Sequence, residues 1–334
     1  MTLLLLLLFS SCLCCVLTGR FIPLARRYQL FDKPNQRSSH SQPTPRGGGL
    51  AIVASVFISC VLLQYYYPVF SDGFEWHTKV LLVCALLIAV ISFVDDMRDL
   101  SVALRLSLQG LLSLILVFFV GPVPLANLLP IWASVLLSCI GLMWLLNLYN
   151  FMDGIDGLAA SEAVVVCFAA AAVLVINNAG GSVIFLTIAL AGSALGFLVW
   201  NWSPAKLFMG DSGSVFLGFS IGGLALITTQ GELLTISVWL ILLAVFIADA
   251  SYTLSRRLFT GQDIFQAHRS HGYQILADHW ASHAKVSLLY MGINIVWLVP
   301  LAIAANAWPQ LSLVIVITAY VPLLAMMAKL DNLA

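Results

Sequence analysis

Residues Asn147–Leu158 place two carboxylates where one apolar segment ends and the next begins. The stretch is NLYNFMDGIDGL, in which Asp153 and Asp156 are each followed by a glycine. Carboxylates beside a hydrocarbon core are costly and usually functional, and glycine lets the backbone approach a ligand closely. With Asn147 and Asn150 just upstream, the pattern predicts half of a metal and nucleotide site at a membrane surface. The alternative is a solvated turn between two helices.

A second acidic group, Asp95-Asp96-Met-Arg-Asp99, closes an earlier apolar segment. On a continuous helix Asp95 and Asp99 share a face, where their charges repel each other unless a divalent cation or a basic ligand binds. Acids at the C-terminal end of a helix also oppose the helix dipole. We therefore predict a ligand here; the alternative is an exposed acidic helix end.

The segment Phe208–Ser214, FMGDSGS, leads into another apolar stretch. Asp211 and Ser212 suit the N-cap of a helix, which is the structural alternative. The glycines at positions 210 and 213 allow a phosphate or a metal to approach the helix start closely. This pattern predicts a ligand site at the beginning of the helix.

Two further loops carry basic groups. His268-Arg269-Ser-His271 suits phosphate oxygens, through hydrogen bonds and charge; the alternative is the solvated surface of a long loop. Pro43–Gly49, PTPRGGG, predicts a rigid turn and three glycines that open a helix, with Arg46 beside them. We interpret the remaining polar residues of the later loop as ordinary loop residues; they are Asp278, His279 and His283.

Composition predicts a polytopic membrane protein of the all-α class. Of the 334 residues, 61% are hydrophobic and 9% are charged, and the mean hydropathy is +1.01; a soluble domain carries about 25% charged residues. The net charge of zero gives no sign of nucleic-acid binding. The seven cysteines all lie in apolar stretches and indicate neither a disulfide framework nor a zinc site.

The apolar segments predict eleven transmembrane helices, because a span needs about 20 mostly apolar residues and lipid leaves a lone segment no other way to satisfy its backbone. Met1–Leu17 resembles the core of a signal peptide, but its positive charges follow it, so we expect a retained first span. The predicted spans are 1–19, 48–70, 79–94, 104–121, 129–149, 159–177, 183–200, 214–229, 234–255, 286–305 and 309–328.

Basic residues predict the orientation of these spans. If the N-terminus lies outside, fourteen of the 15 Lys and Arg residues fall on the inner side and only Lys79 falls outside. This bias predicts a cytoplasmic C-terminus and places every candidate group on the cytoplasmic face of one domain, 1–334. The loops expected to form the site are about 20–47, 95–103, 147–159, 201–213 and 256–285.

Five motifs in the same order resemble one known family. They are PTPRGGG (43–49), DDMRDL (95–100), NLYNFMDGIDGLA (147–159), FMGDSGS (208–214) and HRSHGYQ (268–274). The chain is similar along its whole length to the polyprenyl-phosphate N-acetylhexosamine-1-phosphate transferases, the glycosyltransferase 4 family. The DDxxD form resembles the branch that initiates O-antigen lipid intermediates. HRSHGYQ differs from the multi-histidine loop of the N-acetylglucosamine enzymes and looks closer to enzymes that use deoxy-amino sugars.

The resemblance implies transfer of a sugar-1-phosphate from a UDP-activated amino sugar to undecaprenyl phosphate, with release of UMP. It implies an Mg²⁺-dependent enzyme, with Mn²⁺ as a substitute, in the bacterial inner membrane. A homodimer is left open. The implied metal ligands are Asp211 and one of Asp95 or Asp96, the other being the family's usual base candidate. The implied substrate contacts are Asp153, Asp156, Asn147 and Asn150 for the nucleotide-sugar, Asn201 and Phe208 for uracil, Arg46, His268, Arg269 and His271 for phosphates, and Asp99.

Two alternatives use the same residues differently. A transporter could use Asp249, which lies inside the ninth predicted span, as part of an ion path. Against this, the acids gather at one face rather than at the midplane, and we expect Asp249 to cap or pair near the inner end. A one-span transferase that forms a phospho-aspartate is disfavoured by the many predicted spans.

Overall fold

The computed structural model describes residues 1–32, 43–66, 76–124, 129–263 and 268–331, and the fold is a helical bundle. The only strands in these ranges, Phe31–Asp32 and Thr44–Pro45, pair antiparallel. The helices are α1 (Thr2–Arg27), α2 (Gly49–Tyr66), α3 (Trp76–Arg98), α4 (Val102–Val120), α5 (Ile131–Phe151), α6 (Leu158–Ile176), α7 (Ser182–Asn201), α8 (Asp211–Gln230), α9 (Ile236–Leu242), α10 (Ala244–Phe259), α11 (Gly272–Trp280), α12 (His283–Ile293), α13 (Val299–Ala307) and α14 (Ser312–Asp331).

Within the described ranges, nine helices are long and apolar enough to cross a membrane, where α12 and α13 count as one because the π-helical segment Asn294–Leu298 joins them. The number is ten if the bent pair of α9 and α10 also counts as one span. The helix α2 is a shorter apolar helix. Each predicted segment thus coincides with a helix or a helix pair, and the all-α polytopic class is confirmed. Residues 67–70 of the second predicted span and residues 33–42 of the first predicted loop lie outside the described residues.

The centre of the bundle is α8, which is buried along almost its whole length and packs against α3, α5 and α2. Its glycines explain how it fits. A Cβ atom at Gly218 would come within 2.8 Å of the Leu145 carbonyl oxygen, and one at Gly223 within 2.2 Å of Leu81. Small residues let helix backbones approach closely inside a membrane. The glycines of α8 therefore allow the neighbouring helices to pack closely around it.

The first helix is an integral part of the bundle, because α1 packs along α7. Gly192 and Gly196 lie one turn apart on α7 and face α1. A Cβ atom at Gly192 would lie 2.1 Å from Ser10 Oγ, and one at Gly196 would lie 2.1 Å from the Ser11 carbonyl oxygen. This is the small-xxx-small packing typical of membrane helices.

The structure refines four predicted segments. The span 234–255 is not one straight helix, because α9 and α10 meet at a bend of 74°. The predicted loop 256–285 contains the end of α10, the whole of α11 and the start of α12. Its amphipathic pattern is too short to register as a span, so the sequence did not reveal a helix there. The predicted loops 95–103 and 147–159 likewise include the last residues of α3 and α5.

We predict that Gly196→Ala lowers the free energy of unfolding by about 1–3 kcal/mol, the usual cost of overpacking, since the new methyl group meets main-chain atoms of α1 that cannot move aside. The control is Gly141→Ala on α5, where nothing lies within 4 Å of the added Cβ; it should be neutral or slightly stabilising. Thermal unfolding in detergent measures both. Equal shifts of the two melting temperatures would contradict the tight α1–α7 contact.

Candidate active site

Two glycine-rich motifs meet at the starts of α2 and α8. The backbone N–H groups of Gly48 and Gly49 donate to the carbonyl oxygens of Phe208 (3.0 Å) and Met209 (2.8 Å). A Cβ atom at Gly49 would lie 2.2 Å from the Gly213 Cα atom, so neither position accepts a side chain without movement. PTPRGGG and FMGDSGS are therefore halves of one junction, which brings two helix N-termini and Arg46 together.

Asp96 lies at this junction. Its carboxylate receives a hydrogen bond from the Ser212 backbone N–H, and Arg46 lies 3.6 Å from Asp96 Oδ1. Arg46 also donates to the Asp96 carbonyl oxygen at 2.5 Å. The second carboxylate oxygen, Oδ2, is buried and has no protein partner. A buried carboxylate oxygen without a partner is costly and fits a site for a cation.

Asp153 and Asp211 lie near Asp96. Burial, followed by the charges of Asp211, Asp96 and Asp156, raises the pKa of Asp153 well above its usual value. These carboxylates come from three separate segments of the chain: the end of α3, the loop after α5 and the start of α8. Carboxylates whose charges act on one another in this way favour binding of a cation. The N-cap role considered as the structural alternative for Asp211 does not hold: Gly210 is the N-cap residue, and Asp211 is the first residue of α8.

The structure separates the roles of Asp95 and Asp99 from that of Asp96. Asp95 accepts from the Leu100 backbone N–H at 2.8 Å and from Arg105 at 3.0 Å. It therefore ties the end of α3 to the start of α4. The prediction that Asp95 and Asp99 share one helix face is wrong, because α3 ends at Arg98 and Asp99 is exposed with a φ of 48°. Aspartate tolerates this left-handed conformation.

The predicted asparagines make different contacts. Asn150 donates to Ser214 Oγ at 3.3 Å and also hydrogen-bonds Asp211, so it orients that carboxylate. Asn147 donates to Gln109 Oε1 at 3.0 Å. Sequence reasoning missed Gln109, although a buried glutamine one turn after Arg105 in an apolar segment was a visible signal.

Asn201, predicted to hold a base, uses its side chain within the protein. Its Oδ1 accepts from the Gly157 N–H at 3.0 Å, and its Nδ2 donates to the Leu207 carbonyl at 3.1 Å. It thus joins the loop after α5 to the loop before α8. Phe208 contributes its main chain to the glycine junction, donating to the Pro45 carbonyl at 2.8 Å.

Asp156 joins three parts of the site. Its Oδ2 accepts from the Ala205 N–H at 3.2 Å and lies 3.3 Å from His283 Nδ1, and its carbonyl accepts from Ser287 at 2.9 Å. Burial acts to raise the pKa of Asp156, but His283 and the hydrogen bonds from Ala205 and Ser203 outweigh it, so this pKa lies below its usual value. The interpretation of His283 as an ordinary loop residue is wrong; no spacing pattern linked it to Asp156.

The basic motif before α11 lies beside Phe151. The rings of His271 and Phe151 stack with centroids 6.1 Å apart, and His268 lies 4.9 Å from His271. His271 is buried and faces Asp249 at 3.5 Å. Burial, the charge of His271 and the charge of Arg257 lower the pKa of His268 to about 4. At neutral pH His268 is therefore an uncharged hydrogen-bonding group.

Arg269 forms an ion pair with Asp278 at the surface, with Nη2 2.5 Å from Oδ1. The interpretation of Asp278 as an ordinary loop residue therefore leaves out this pairing.

An apolar groove of about 330 Å³ opens between α4, α5 and α10 beside these loops. Its walls carry Leu106, Met143 and Trp144, and Arg105 and Asn147 also line it. Phe151 lines the groove as well and stacks on His271. The groove thus has apolar walls and one cationic side chain, that of Arg105, and it extends to Phe151, which His271 contacts.

No group of three His, Cys, Asp or Glu residues in the described ranges forms a complete metal site. Mg²⁺ does not need one, since it commonly takes one or two carboxylates and completes its shell with water and substrate phosphates. Asp96, with its unpartnered oxygen, and Asp211 fit that requirement.

Comparisons with known proteins identify the family of the chain. The model of glycosyl transferase family 4 matches residues 78–229, which include three of the five motifs. The "Decaprenyl-phosphate N-acetylglucosaminephosphotransferase" of Mycolicibacterium smegmatis is 31% identical over 84% of this chain and 76% of its own length. The chain belongs to the polyprenyl-phosphate hexosamine-1-phosphate transferase family.

Other bacterial members of this transferase family align over similar lengths. The "Probable undecaprenyl-phosphate N-acetylglucosaminyl 1-phosphate transferase" of Bacillus subtilis is 29% identical over 93% of this chain and 88% of its own length. The "Undecaprenyl-phosphate alpha-N-acetylglucosaminyl 1-phosphate transferase" of Escherichia coli K12 is 29% identical over 76% of this chain and 70% of its own length. The protein is thus a multi-pass membrane member of a bacterial transferase family.

We predict that Asp156→Asn lowers the free energy of unfolding by about 2 kcal/mol at neutral pH, because hydrogen bonds to a charged group are lost. The pKa of Asp156 is lowered in the folded state. Its stabilising effect is therefore complete above the ordinary carboxyl range near pH 4 and is lost as the pH falls through the folded-state pKa.

Melting temperatures of wild type and variant from pH 7 to pH 3 provide the measurement: the difference should hold down to about pH 4 and then shrink. Asp278→Asn, which removes only a surface ion pair, should change little at any pH. A difference that stays constant down to pH 3 would contradict the role assigned to the Asp156 charge.

Proposed function

We propose that the protein transfers a sugar-1-phosphate from a UDP-activated amino sugar to undecaprenyl phosphate and releases UMP. The donor sugar is an N-acetyl-amino or deoxy-amino hexose. The product is the first lipid-linked intermediate of an O-antigen, a lipopolysaccharide or a related surface polysaccharide. The active site faces the cytoplasm from the bacterial inner membrane, and the five loops of one domain form it.

The observation that carries the proposal is the meeting of Asp96, Asp153 and Asp211 with Arg46 at the start of α8. Carboxylates for a metal and a cation for phosphate are the parts that a phosphoryl transfer needs, since such reactions depend on positioning and charge neutralisation. The N-termini of α2 and α8 add positive potential at the same place. The family to which the chain belongs supports the same reaction class.

The groove between α4, α5 and α10 is the proposed acceptor site. Its apolar walls suit the isoprenoid next to the phosphate, and Arg105 supplies a cation for the phosphate itself. Asp95 holds Arg105 in place at 3.0 Å. The lipid enters sideways from the bilayer, so its chain remains in an apolar environment throughout.

The donor is proposed to lie against the loop after α5. Asp153, Asp156 and Asn150 face the nucleotide-sugar, and the loop 201–210 forms the uracil pocket with Phe208. Asn201 supports that pocket by holding Gly157 and Leu207 together. His268, Arg269 and His271, in the segment just before α11, approach the diphosphate.

The chemistry is an attack by a lipid phosphate oxygen on the phosphorus attached to the sugar. The new diphosphate bond forms as the bond from that phosphorus to the bridging oxygen breaks, and UMP leaves with that oxygen. A phosphate monoester has a second pKa of about 6 and is largely dianionic at neutral pH, so it needs no side chain as a base. The obstacle is repulsion between the dianion and the donor diphosphate. Mg²⁺, or Mn²⁺ in its place, bound by Asp96 and Asp211 would neutralise that charge. Arg46 and the two helix N-termini hold the phosphates, and Asp95 positions Arg105.

The transporter alternative depended on Asp249, and the structure gives this carboxylate a full set of partners in α11 and α12. It therefore has a structural role that requires no ion path.

We predict that Asp96→Asn lowers kcat by about 100-fold or more, because loss of even a supporting metal contact costs about 10–100-fold. Asp95→Asn should cost about tenfold, since Asp95 acts through Arg105. Asp331→Asn, which removes a pair with Arg256 at the C-terminal end of α14, is the carboxylate control and should leave kcat unchanged. Rates are followed as UMP release at several Mg²⁺ concentrations. A larger loss for Asp95→Asn than for Asp96→Asn, at equal melting temperatures, would reverse the assignment.

Purified protein offered undecaprenyl phosphate, Mg²⁺ and a panel of UDP-sugars tests the reaction itself. We expect UMP and a diphosphate-linked lipid with UDP-N-acetylfucosamine or UDP-N-acetylquinovosamine, because HRSHGYQ lacks the multi-histidine pattern. Product with UDP-N-acetylglucosamine alone would retain the reaction and reject the deoxy-amino donor. Folded protein that forms no UMP with any donor would reject the proposed function, and solute uptake into vesicles without lipid acceptor would then support a transporter.

A further inference from the structure

Asp249 is a fully buried carboxylate on α10, a few residues after the 74° bend. A charge inside a membrane protein is costly unless partners surround it. Here the partners come from two other helices. The carboxylate accepts from Gly272 N–H at 2.8 Å and Tyr273 N–H at 2.9 Å in α11, and from the Tyr290 hydroxyl at 2.7 Å in α12.

The two amide contacts fix the start of α11. One carboxylate oxygen takes the N–H of Gly272 and the other takes that of Tyr273, so the carboxylate spans the first turn of the helix. Both amides belong to the N-terminal turn, where an anion is favourable. A Cβ atom at Gly272 would lie 3.2 Å from Asp249 Oδ2 and 2.6 Å from Met327 Sδ. Glycine therefore permits the close approach.

The same carboxylate holds the basic motif. His271 Nδ1 lies 3.5 Å from Asp249 Oδ1, and both side chains are buried. His271 is the N-cap residue of α11, and its own N–H donates to Gln274 Oε1 at 3.2 Å. Fixing the first turn of α11 therefore also fixes the imidazole and, through it, the neighbouring His268, whose ring lies 4.9 Å away.

From α11 a second contact reaches the acidic loop. The Tyr273 hydroxyl donates to the Phe151 carbonyl oxygen at 2.8 Å. The same hydroxyl packs on Gly154, where a Cβ atom would lie 2.0 Å from it, and Asp153 adds to the electrostatic environment of Tyr273. Phe151 and Gly154 flank Asp153 in sequence, so a shift of α11 moves the support of that carboxylate.

We propose that Asp249 is a positioning residue that holds α11 and thereby sets the distance between the basic motif 268–271 and the loop of Asp153. This inference rests on the proposed function, since it assigns the loop of Asp153 to the nucleotide-sugar and the basic motif to the donor diphosphate. It predicts that Asp249 affects the use of the donor and leaves the lipid groove between α4, α5 and α10 unaffected. No contact of Asp249 with substrate is involved.

The test compares two variants with matched controls. Asp249→Asn keeps the shape of the side chain but removes its charge and one of its acceptor oxygens, and Tyr273→Phe removes only the hydroxyl that reaches Phe151. The control for the second is Tyr320→Phe, because Tyr320 also donates to a main-chain carbonyl, that of Leu240 at 2.9 Å, away from the site. The control for the first is Asp331→Asn on α14.

Initial rates with undecaprenyl phosphate and the accepted UDP-sugar give separate KM values for donor and lipid. We expect Asp249→Asn to raise the KM of the donor or lower kcat by at least tenfold, with the KM of the lipid within twofold of wild type. Tyr273→Phe should change the same parameters in the same direction, while Tyr320→Phe and Asp331→Asn remain at wild-type values. Equal changes in both KM values, or a Tyr273→Phe variant that behaves like Tyr320→Phe, would overturn the proposal.

Hydrogen exchange of the same proteins separates this inference from the proposed function. Asp249→Asn should accelerate amide exchange in 272–280 and 152–157 and leave α8 unchanged. If Asp249→Asn exchanges faster in these two segments but the wild-type protein transfers no sugar-phosphate, the positioning role is retained and the proposed function is rejected. Unchanged exchange in both segments, with transfer intact in wild type, would reject the positioning role alone.

Discussion

The contact between Gly49 and Gly213 is the constraint on which the rest of the site depends. With only hydrogen atoms on both Cα atoms, the first turns of α2 and α8 touch main chain to main chain. This closeness lets the Gly48 and Gly49 amides bond the carbonyls of 208 and 209, and it brings Arg46 to Asp96. Side chains otherwise set the distance between packed helices. The two helix starts can therefore come this close only because glycine occupies both contact positions.

The electrostatic repulsion between the carboxylates is offset by the rigid packing of α8, the helix at whose start they meet. Asp211 begins α8, which is surrounded by α2, α3 and α5 and exposes little surface along its length. Asp153 lies on a short loop held at both ends, by Tyr273 at the Phe151 carbonyl and by Asn201 at Gly157. Carboxylates that repel one another remain close because the surrounding packing keeps them from separating.

The sequence was sufficient for the spans, since apolar length alone decides whether a segment can cross a bilayer. It also singled out Asp96, Asp153 and Asp211, since carboxylates at helix ends are rare in such a composition, and their role in the site stays a prediction. It could not tell the role of Asp95 from that of Asp96. Adjacent residues differ only in the direction in which their side chains point, and the way α3 ends sets that direction. It missed His283 and left Asp249 without a partner for a different reason: their contacts join positions 127 and 23 residues away, and no local pattern encodes such pairs.

The attachment of α11 has an evolutionary consequence. Its hydrogen-bonding anchors outside the segment are the carboxylate of Asp249, which Tyr290 also contacts, and the main-chain carbonyl of residue 151. A main-chain carbonyl is present whatever the side chain. Side chains at 268–270 can therefore diverge while the helix keeps its place and α2, α3 and α8 stay untouched. The helices that hold the carboxylates are thereby separated from a segment whose side chains can change without disturbing them, so evolution can alter the two parts independently.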